Sequence, residues 1–284
     1  MNDRPLVSVL TPSFNQGRWL VKNLESVRLQ TYDKIEHIVM DGGSSDQTIQ
    51  LLQAASGSIR WWSEPDRGQS HALNKAFAES KGEIVGWINS DDAYFHAKSV
   101  EWAVEALLRH PAADIIYGHA AELNSEGTLL HLRWVPPYSP SLLLLFNFIV
   151  QPAAFIRRSA IGDQLVDESL DFTMDRALWL RLAKEGRRFL RLNKILAANR
   201  RHVERKSQSL DEMWAERNPQ DRAYGAPTGR WTRPARWMLD VGVRVAGLRL
   251  IPTILSSDWL LEQRPSWKEL TLRQVATRHR NMHL

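Results

Sequence analysis

An α/β fold with a mainly parallel central sheet is predicted by three observations. Over the first 118 residues, short apolar or β-branched runs alternate with segments of helical periodicity, the arrangement of βαβ units. Each apolar run stops in a cluster of Gly, Pro, Ser, Asn or Asp, as strand ends do. The 284-residue chain is 43% hydrophobic and 24% charged, which supplies a core and excludes intrinsic disorder for most of its length.

Residues 6–10, Leu-Val-Ser-Val-Leu, form the first expected strand. A helix follows over 17–30, with Trp19, Leu20, Leu24, Val27 and Leu29 close to helical spacing. Residues 35–40 make a second strand that ends in Asp41-Gly42-Gly43-Ser44-Ser45-Asp46, and 48–55 a helix with an acidic or hydroxyl cap. A brief third strand is expected at 60–63, a helix at 70–80 stopped near Gly82, a fourth strand at 83–88, a helix at 97–109 and a fifth strand at 114–117. Beyond Gly118 the pattern changes. Asn124-Ser125-Glu126-Gly127 suggests a hairpin turn, 136–140 a loop, 174–184 an amphipathic helix, and 189–192 and 195–199 closing strands, while 225–234 is rich in Gly and Pro and reads as a linker.

With no cysteine, the chain has no disulfide scaffold, thiol nucleophile or Cys-ligated metal, and it suits a reducing compartment. The net charge of +5 is unevenly distributed: from Arg230 onward ten Lys and Arg face four acids, so the preceding residues carry about −1. No secretory leader is read at the start, and the apolar stretches 142–150 and 241–255 are too short or too interrupted to cross a bilayer, which takes about 20 residues.

In an open α/β sheet, ligands bind outside the carboxyl ends of the strands. Four such ends here carry polar loops: Thr11-Pro12-Ser13-Phe14-Asn15, Asp41-Gly42-Gly43, Glu64-Pro65-Asp66-Arg67-Gly68 and Asn89-Ser90-Asp91-Asp92. Any one of these could be ordinary turn chemistry; four on one edge suggest a site. Asp91 and Asp92 repel each other unless a cation lies between them, and Mg²⁺ characteristically shares carboxylates with substrate phosphates. An Asp-rich helix cap is the bland alternative. Neither G-x-G-x-x-G nor a P-loop occurs.

The ordered motifs V-S-V-L-T-P-S-F-N, I-V-M-D-G-G-S-S-D, E-P-D-R-G-Q-S-H-A-L-N and W-I-N-S-D-D-A-Y resemble the nucleotide-sugar-binding half of family 2 glycosyltransferases of the GT-A fold. The resemblance continues through Gln151-Pro152-Ala153, Met174-Asp175 and Arg201-His202, covering about residues 5–210. It implies an inverting transfer of sugar from a nucleotide-diphosphate donor to a hydroxyl acceptor, dependent on Mg²⁺ or Mn²⁺. Donor contacts are then expected from Thr11, Pro12, Ser13, Asn15, Asp41, Gly43, Asp66, Arg67, Gly68, Asn74, Asn89, Ser90 and Asp91. Asp91, Asp92 and His202 would serve the metal, with either aspartate as its direct ligand, and Asp175 would be the catalytic base. Asn89 stands where many relatives carry a further Asp. Many also have a second acid two residues after the base, whereas this chain reads Asp175-Arg176-Ala177.

The expected organisation is a GT-A domain over 5–210, divided into a nucleotide-sugar half (5–118) and an acceptor half (119–210), followed by a basic, Trp-rich helical extension over 211–284. Trp231, Trp237, Trp259 and Trp267 lie among Arg230, Arg233, Arg236, Arg244 and Arg249. That mixture suits peripheral contact with an anionic membrane, which would bring a cytoplasmic enzyme to a glycan or lipid-linked acceptor. Packing on the catalytic domain is the alternative; nucleic acid is not expected, because the basic residues follow no binding module. Cell-surface polysaccharide or glycolipid synthesis is the setting the resemblance implies. Two rival functions stay open: a non-catalytic nucleotide-sugar scaffold, and a nucleotidyltransferase.

Overall fold

A computed structural model describes residues 4–202, 210–227 and 231–250. The first half follows the predicted alternation: β1 (Val7–Ser13), α1 (Gly17–Arg28), β2 (Ile35–Asp41), α2 (Thr48–Ala55), β3 (Arg60–Ser63), α3 (Gln69–Glu79), β4 (Ile84–Trp87), β5 (Ala93–Tyr94) and α4 (Ser99–Arg109). The second half contains β6 (Ile115–Leu123), β7 (Leu129–Arg133), α5 (Pro140–Leu145), β8 (Ala154–Arg157), α6 (Arg158–Ile161), α7 (Met174–Lys184), β9 (Phe189–Arg200), α8 (Leu210–Ala223) and α9 (Thr232–Ala246).

The sheet order is β3-β2-β1-β4-β8-β6-β9-β5, with β7 beside the far end of β6. From β3 to β4 all pairings are parallel. Every residue of β1 is buried, as expected of a parallel strand covered on both faces. The register aligns Ser13 with Asp41 and Asp41 with Ser63, so three strand ends finish at one level. β8 runs antiparallel to both β4 and β6. β6 therefore points the same way as β4, and β9 lies parallel to β6. The carboxyl end of β9, which leads to His202, thus emerges on the same sheet edge as the end of β4, which leads to Asp91.

The core combines both halves around Val9, Leu10, Ile38, Leu73, Ile116, Phe155, Leu178 and Trp179. Two closing strands were expected over 189–199; β9 is one continuous strand, because its pairing with β6 absorbs the irregularity through register shifts around His119. Nor is 225–234 all linker: α9 begins at Thr232, with Pro234 in the first turn, where a missing N–H costs no hydrogen bond. Trp259, Trp267 and Arg230 lie outside the described residues.

Helix α9 packs Leu239 and Val243 on the core, as a surface helix does, yet it also presents apolar residues outward. Trp231 (71% exposed), Met238 (60%) and Val245 (47%) recur every seven residues on its outer side, with Trp237 also exposed. Its inner side carries Arg236, which donates to Leu145 O, and Asp240, which pairs with Arg133 and Arg244.

Candidate active site

A cavity of about 1020 Å³ opens at the shared sheet edge. Of the residues singled out from the sequence, Pro12, Ser13, Asp66, Gly68, Asn89, Ser90, Asp91, Asp92, Asp175 and His202 line it. Ser13 Oγ is buried there with no hydrogen-bond partner among the described residues, an unmet polar group of the kind a ligand satisfies.

The other expected donor residues lie behind or beside this lining. Thr11 is fully buried and shares a 2.9 Å hydrogen bond with His37. Asp41 is also fully buried; its carboxylate accepts from Gly43 N, Ser44 N, Ser44 Oγ and Ser63 Oγ, which fixes the turn after β2. Gly43 has φ +85° in that turn, a conformation that favours glycine. Asn15, at φ 51°, exchanges hydrogen bonds with Ser44 and Ser45 and ties the first loop to the second. Asn74 braces the segment 165–168, accepting from Leu165 N and Val166 N and donating to Val166 O and Glu168. Arg67 is largely exposed and pairs with Glu168 at 2.6 Å.

The acidic loop after β4 is held from several sides. Asn23 of α1, fully buried, donates through Nδ2 to Asn89 O (2.8 Å) and Asp92 O (3.1 Å). Arg200 donates its backbone amide to Asp92 Oδ1 and its Nε to Asp91 O. Asn89 Oδ1 accepts from Gln69 Nε2 and Trp87 Nε1, both at 2.8 Å, and Gln151 Nε2 donates to Trp87 O. Burial lowers the Arg200 guanidinium below its ordinary value even though both aspartates favour its charged form.

Asp91 Oδ2 stands 2.9 Å from His202 Nε2, and the His202 ring packs against Trp19 with centroids 4.0 Å apart. Among the described residues, no three His, Cys, Asp or Glu side chains gather to cage a metal. One carboxylate and one imidazole side by side would hold a divalent ion only together with ligands from water and phosphate. Asp92, 3% exposed and bonded to the Arg200 amide, is set deeper than Asp91.

Asp175 occupies the first turn of α7. Asn147 Nδ2 donates to its Oδ2 at 3.0 Å, and the Arg176 amide meets its Oδ1 at 2.6 Å. Helix α8, at the start of the expected helical extension, clamps this turn. Glu216 accepts from the amides of Asp171, Phe172 and Thr173 and from Thr173 Oγ1, all within 3.0 Å, so a carboxylate caps the entry to α7. Arg176, 1% exposed, pairs with Asp221 at 2.7 Å, and Asp221 also holds Arg236 of α9 at 2.6 Å. Burial draws the nearby Arg217 down to about 10. The Trp214 ring is covered by Arg217, Arg233 and Arg236, each 5.3–5.5 Å from its centroid. The residue after the expected base is therefore an internal strut joining α7 to α8.

Part of the cavity wall is basic. Arg133 of β7, Arg201 just after β9 and Arg244 of α9 all line it, with Asp240 between them. Behind them Glu122 is 1% exposed; burial pushes its carboxyl up, but His131, Arg201 and Arg133 together hold it well below the usual range.

Comparison with known proteins places this geometry. The model of Glycosyl transferase family 2 matches residues 8–164, more than half of the chain. An "uncharacterized glycosyltransferase" of Mycobacterium tuberculosis is 40% identical over 174 residues, 61% of this chain and 66% of that protein. Hyaluronan synthase of Pasteurella multocida is 26% identical over 69% of this chain but only 20% of its own length. The chain thus spans less than two thirds of these relatives. Among solved structures, S. aureus TarS 1-349 in complex with UDP-GlcNAc gives a TM-score of 0.58 at 17% identity, covering 72% of this chain and 61% of that one. The mannosyltransferase PcManGT of Pyrobaculum calidifontis, in complex with GDP-Man and Mn²⁺, gives 0.59 at 19% identity, covering 89% and 73%. These two likenesses establish a shared GT-A fold.

Proposed function

Because the chain belongs to glycosyl transferase family 2, we propose that it transfers a sugar from a nucleotide-diphosphate donor to an acceptor hydroxyl with inversion at the anomeric carbon. The observation that carries this reading is one cavity lined both by Asp175 and by the Asp91–His202 pair. Asp175, steadied by Asn147, accepts the proton of the acceptor hydroxyl as that oxygen bonds to the anomeric carbon; the bond to the diphosphate breaks and its electrons leave with the nucleotide. Such base assistance is worth about 10²- to 10⁴-fold.

Pro12, Ser13, Asp66, Gly68, Asn89 and Ser90 hold the nucleotide and sugar. Thr11, Asn15, Asp41, Gly43 and Asn74 shape the loops that present them, and Arg67 lies at the margin. Asp91 and His202 would hold Mg²⁺ or Mn²⁺, with Asp92 bracing the loop, and the bound ion would offset charge on the leaving diphosphate. The UDP-GlcNAc and GDP-Man complexes of the fold neighbours make these the first donors to try.

Hyaluronan and chondroitin synthases among the relatives support a role in polysaccharide or glycolipid assembly. No helix of the described residues is long and apolar enough to cross a membrane. The outward apolar side of α9 supports peripheral contact with the inner face of a cytoplasmic membrane, where Trp rings sit at headgroup level and the acceptor lipid is within reach.

The test is nucleotide release from UDP-GlcNAc and GDP-mannose with and without Mn²⁺. Metal-stimulated release is expected, falling by about 10²-fold or more in Asp175→Asn while UDP or GDP still raises the Tm. A protein that binds nucleotide yet turns over no donor overturns the reading in favour of a scaffold. Formation of pyrophosphate from a nucleoside triphosphate and a sugar phosphate overturns it in favour of a nucleotidyltransferase.

A further inference from the structure

The basic wall lies outside the strand-end loops that form the expected donor half. Arg133 reaches both Glu122 (3.2 Å) and Asp240 (3.3 Å) through the same nitrogen, Nη1, and its Nη2 has no partner among the described residues. Arg201 meets Glu122 through Nε, which leaves both its Nη groups without a described partner. Both side chains line the cavity. A guanidinium presents five N–H donors in a planar fork that matches phosphate and carboxylate oxygens.

The wall is also close to the expected base. The Arg133 guanidinium lies 6.0 Å from the Phe146 ring centroid, and the next residue, Asn147, donates to Asp175. On the other flank, Arg201 directly precedes His202, the partner of Asp91. An anion seated on the wall would therefore stand between the two reactive ends of the cavity, beside the base. Among the described residues, the three guanidinium groups face two carboxylates, Glu122 buried behind them and Asp240 on the cavity lining.

From this geometry we infer that Arg133, Arg201 and Arg244 form an oxyanion subsite that holds a phosphate or carboxylate of the acceptor while its hydroxyl faces Asp175. This inference rests on the glycosyl-transfer reading and adds the chemical class of the acceptor. It makes α9, through Arg244, part of acceptor recognition.

The test uses the full chain saturated with Mn²⁺ and whichever of UDP or GDP raises its Tm, so that the donor site is filled. Methyl glucoside 6-phosphate, methyl glucuronide and neutral methyl glucoside are then titrated, and binding is read as a further Tm shift and by calorimetry. At least one anionic probe should bind about tenfold or more tighter than the neutral one, and the pair of probes tells phosphate from carboxylate. Arg201→Gln, a partly exposed position, should lose about tenfold of that preference while nucleotide affinity changes by less than about twofold. Arg133→Lys keeps a charge beside Glu122 and should lose the preference without loss of folding.

Equal binding of the three probes overturns the inference. So does a fall in nucleotide affinity in Arg201→Gln with the preference intact, because the arginines then serve the donor diphosphate. Failure of UDP and GDP to stabilise the parent protein defeats the glycosyl-transfer reading first and this inference with it.

Discussion

The two walls of the cavity are built by different means. The donor wall consists of strand ends and short loops whose positions follow from the sheet: Ser13, Asp41 and Ser63 share one register row, and the turns between them close on local hydrogen bonds. The wall that carries Asp175 and the arginines depends on contacts between elements distant in sequence, with Glu216 capping α7, and Asp221 joining Arg176 to Arg236. One wall inherits its geometry from backbone pairing, whereas the other requires buried charges to be matched. It follows that substitutions in α8 and α9 should injure the second wall while leaving the first.

The largest effect is expected at Asp221. Its carboxylate is 3% exposed and balances buried Arg176 and Arg236, so Asp221→Ala leaves uncompensated charge and should cost about 3–5 kcal/mol in urea unfolding. Tm elevation by UDP or GDP should survive in this variant below its own unfolding transition. A loss under about 1 kcal/mol would show that the ionic contacts do not hold α7 in place.

Acid should weaken both regions, by a smaller amount per pH unit. Burial lowers His37, under the donor wall, to about 3, and His119, in β6, to about 4. His119 Nδ1 accepts the Val135 amide, which assigns the proton to Nε2, facing Asn193. Unfolded chains bind these protons near pH 6.5 and the folded protein only near 3 and 4, so the unfolded state holds more protons in between. Stability should therefore fall as pH drops below about 6.5, by about 1.4 kcal/mol per unit for each histidine. Below pH 4 only His37 continues the decline. Urea midpoints at pH 7, 6 and 5 test this, and His119→Asn should halve the slope.

The smallest effect on stability is expected on the outer side of α9. Trp231→Ser combined with Trp237→Ser should change unfolding free energy by about 1 kcal/mol or less, since Trp231 is largely and Trp237 about half exposed. Retention on anionic vesicles should drop several-fold, an effect of about 1 kcal/mol. Unaltered partitioning would remove the support that α9 gives to membrane contact.

What the sequence made legible follows the same division. The alternation of apolar runs and helical spacing located β1 to β4 and their helices within a few residues, because each element reports its own burial. The loops after them were legible as strand ends. β5 and β8, of two and four residues, were not, since so short a run carries no period. Asp175 came from the Met-Asp motif of the family resemblance, but its supports did not: Asn147, Glu216 and Asp221 are 28, 41 and 46 positions away, and nothing local marks a carboxylate as a partner for one distant helix. The departure from the family pattern was legible at Ala177, two residues after the base, whereas Arg176 between them carried no local signal, because its meaning depends on Asp221. The Arg and Trp residues of α9 were visible as a mixture, yet which ones face the protein is set by docking and not by their order.

Asn23 gives the cavity a further property. By tethering the carbonyls of Asn89 and Asp92 to α1, it keeps the acidic loop in its working shape before anything arrives. A ligand of that loop then meets a socket already cut to size, and no ordering of the loop itself is deducted from its affinity. Loading of that loop should accordingly be quick and reversible.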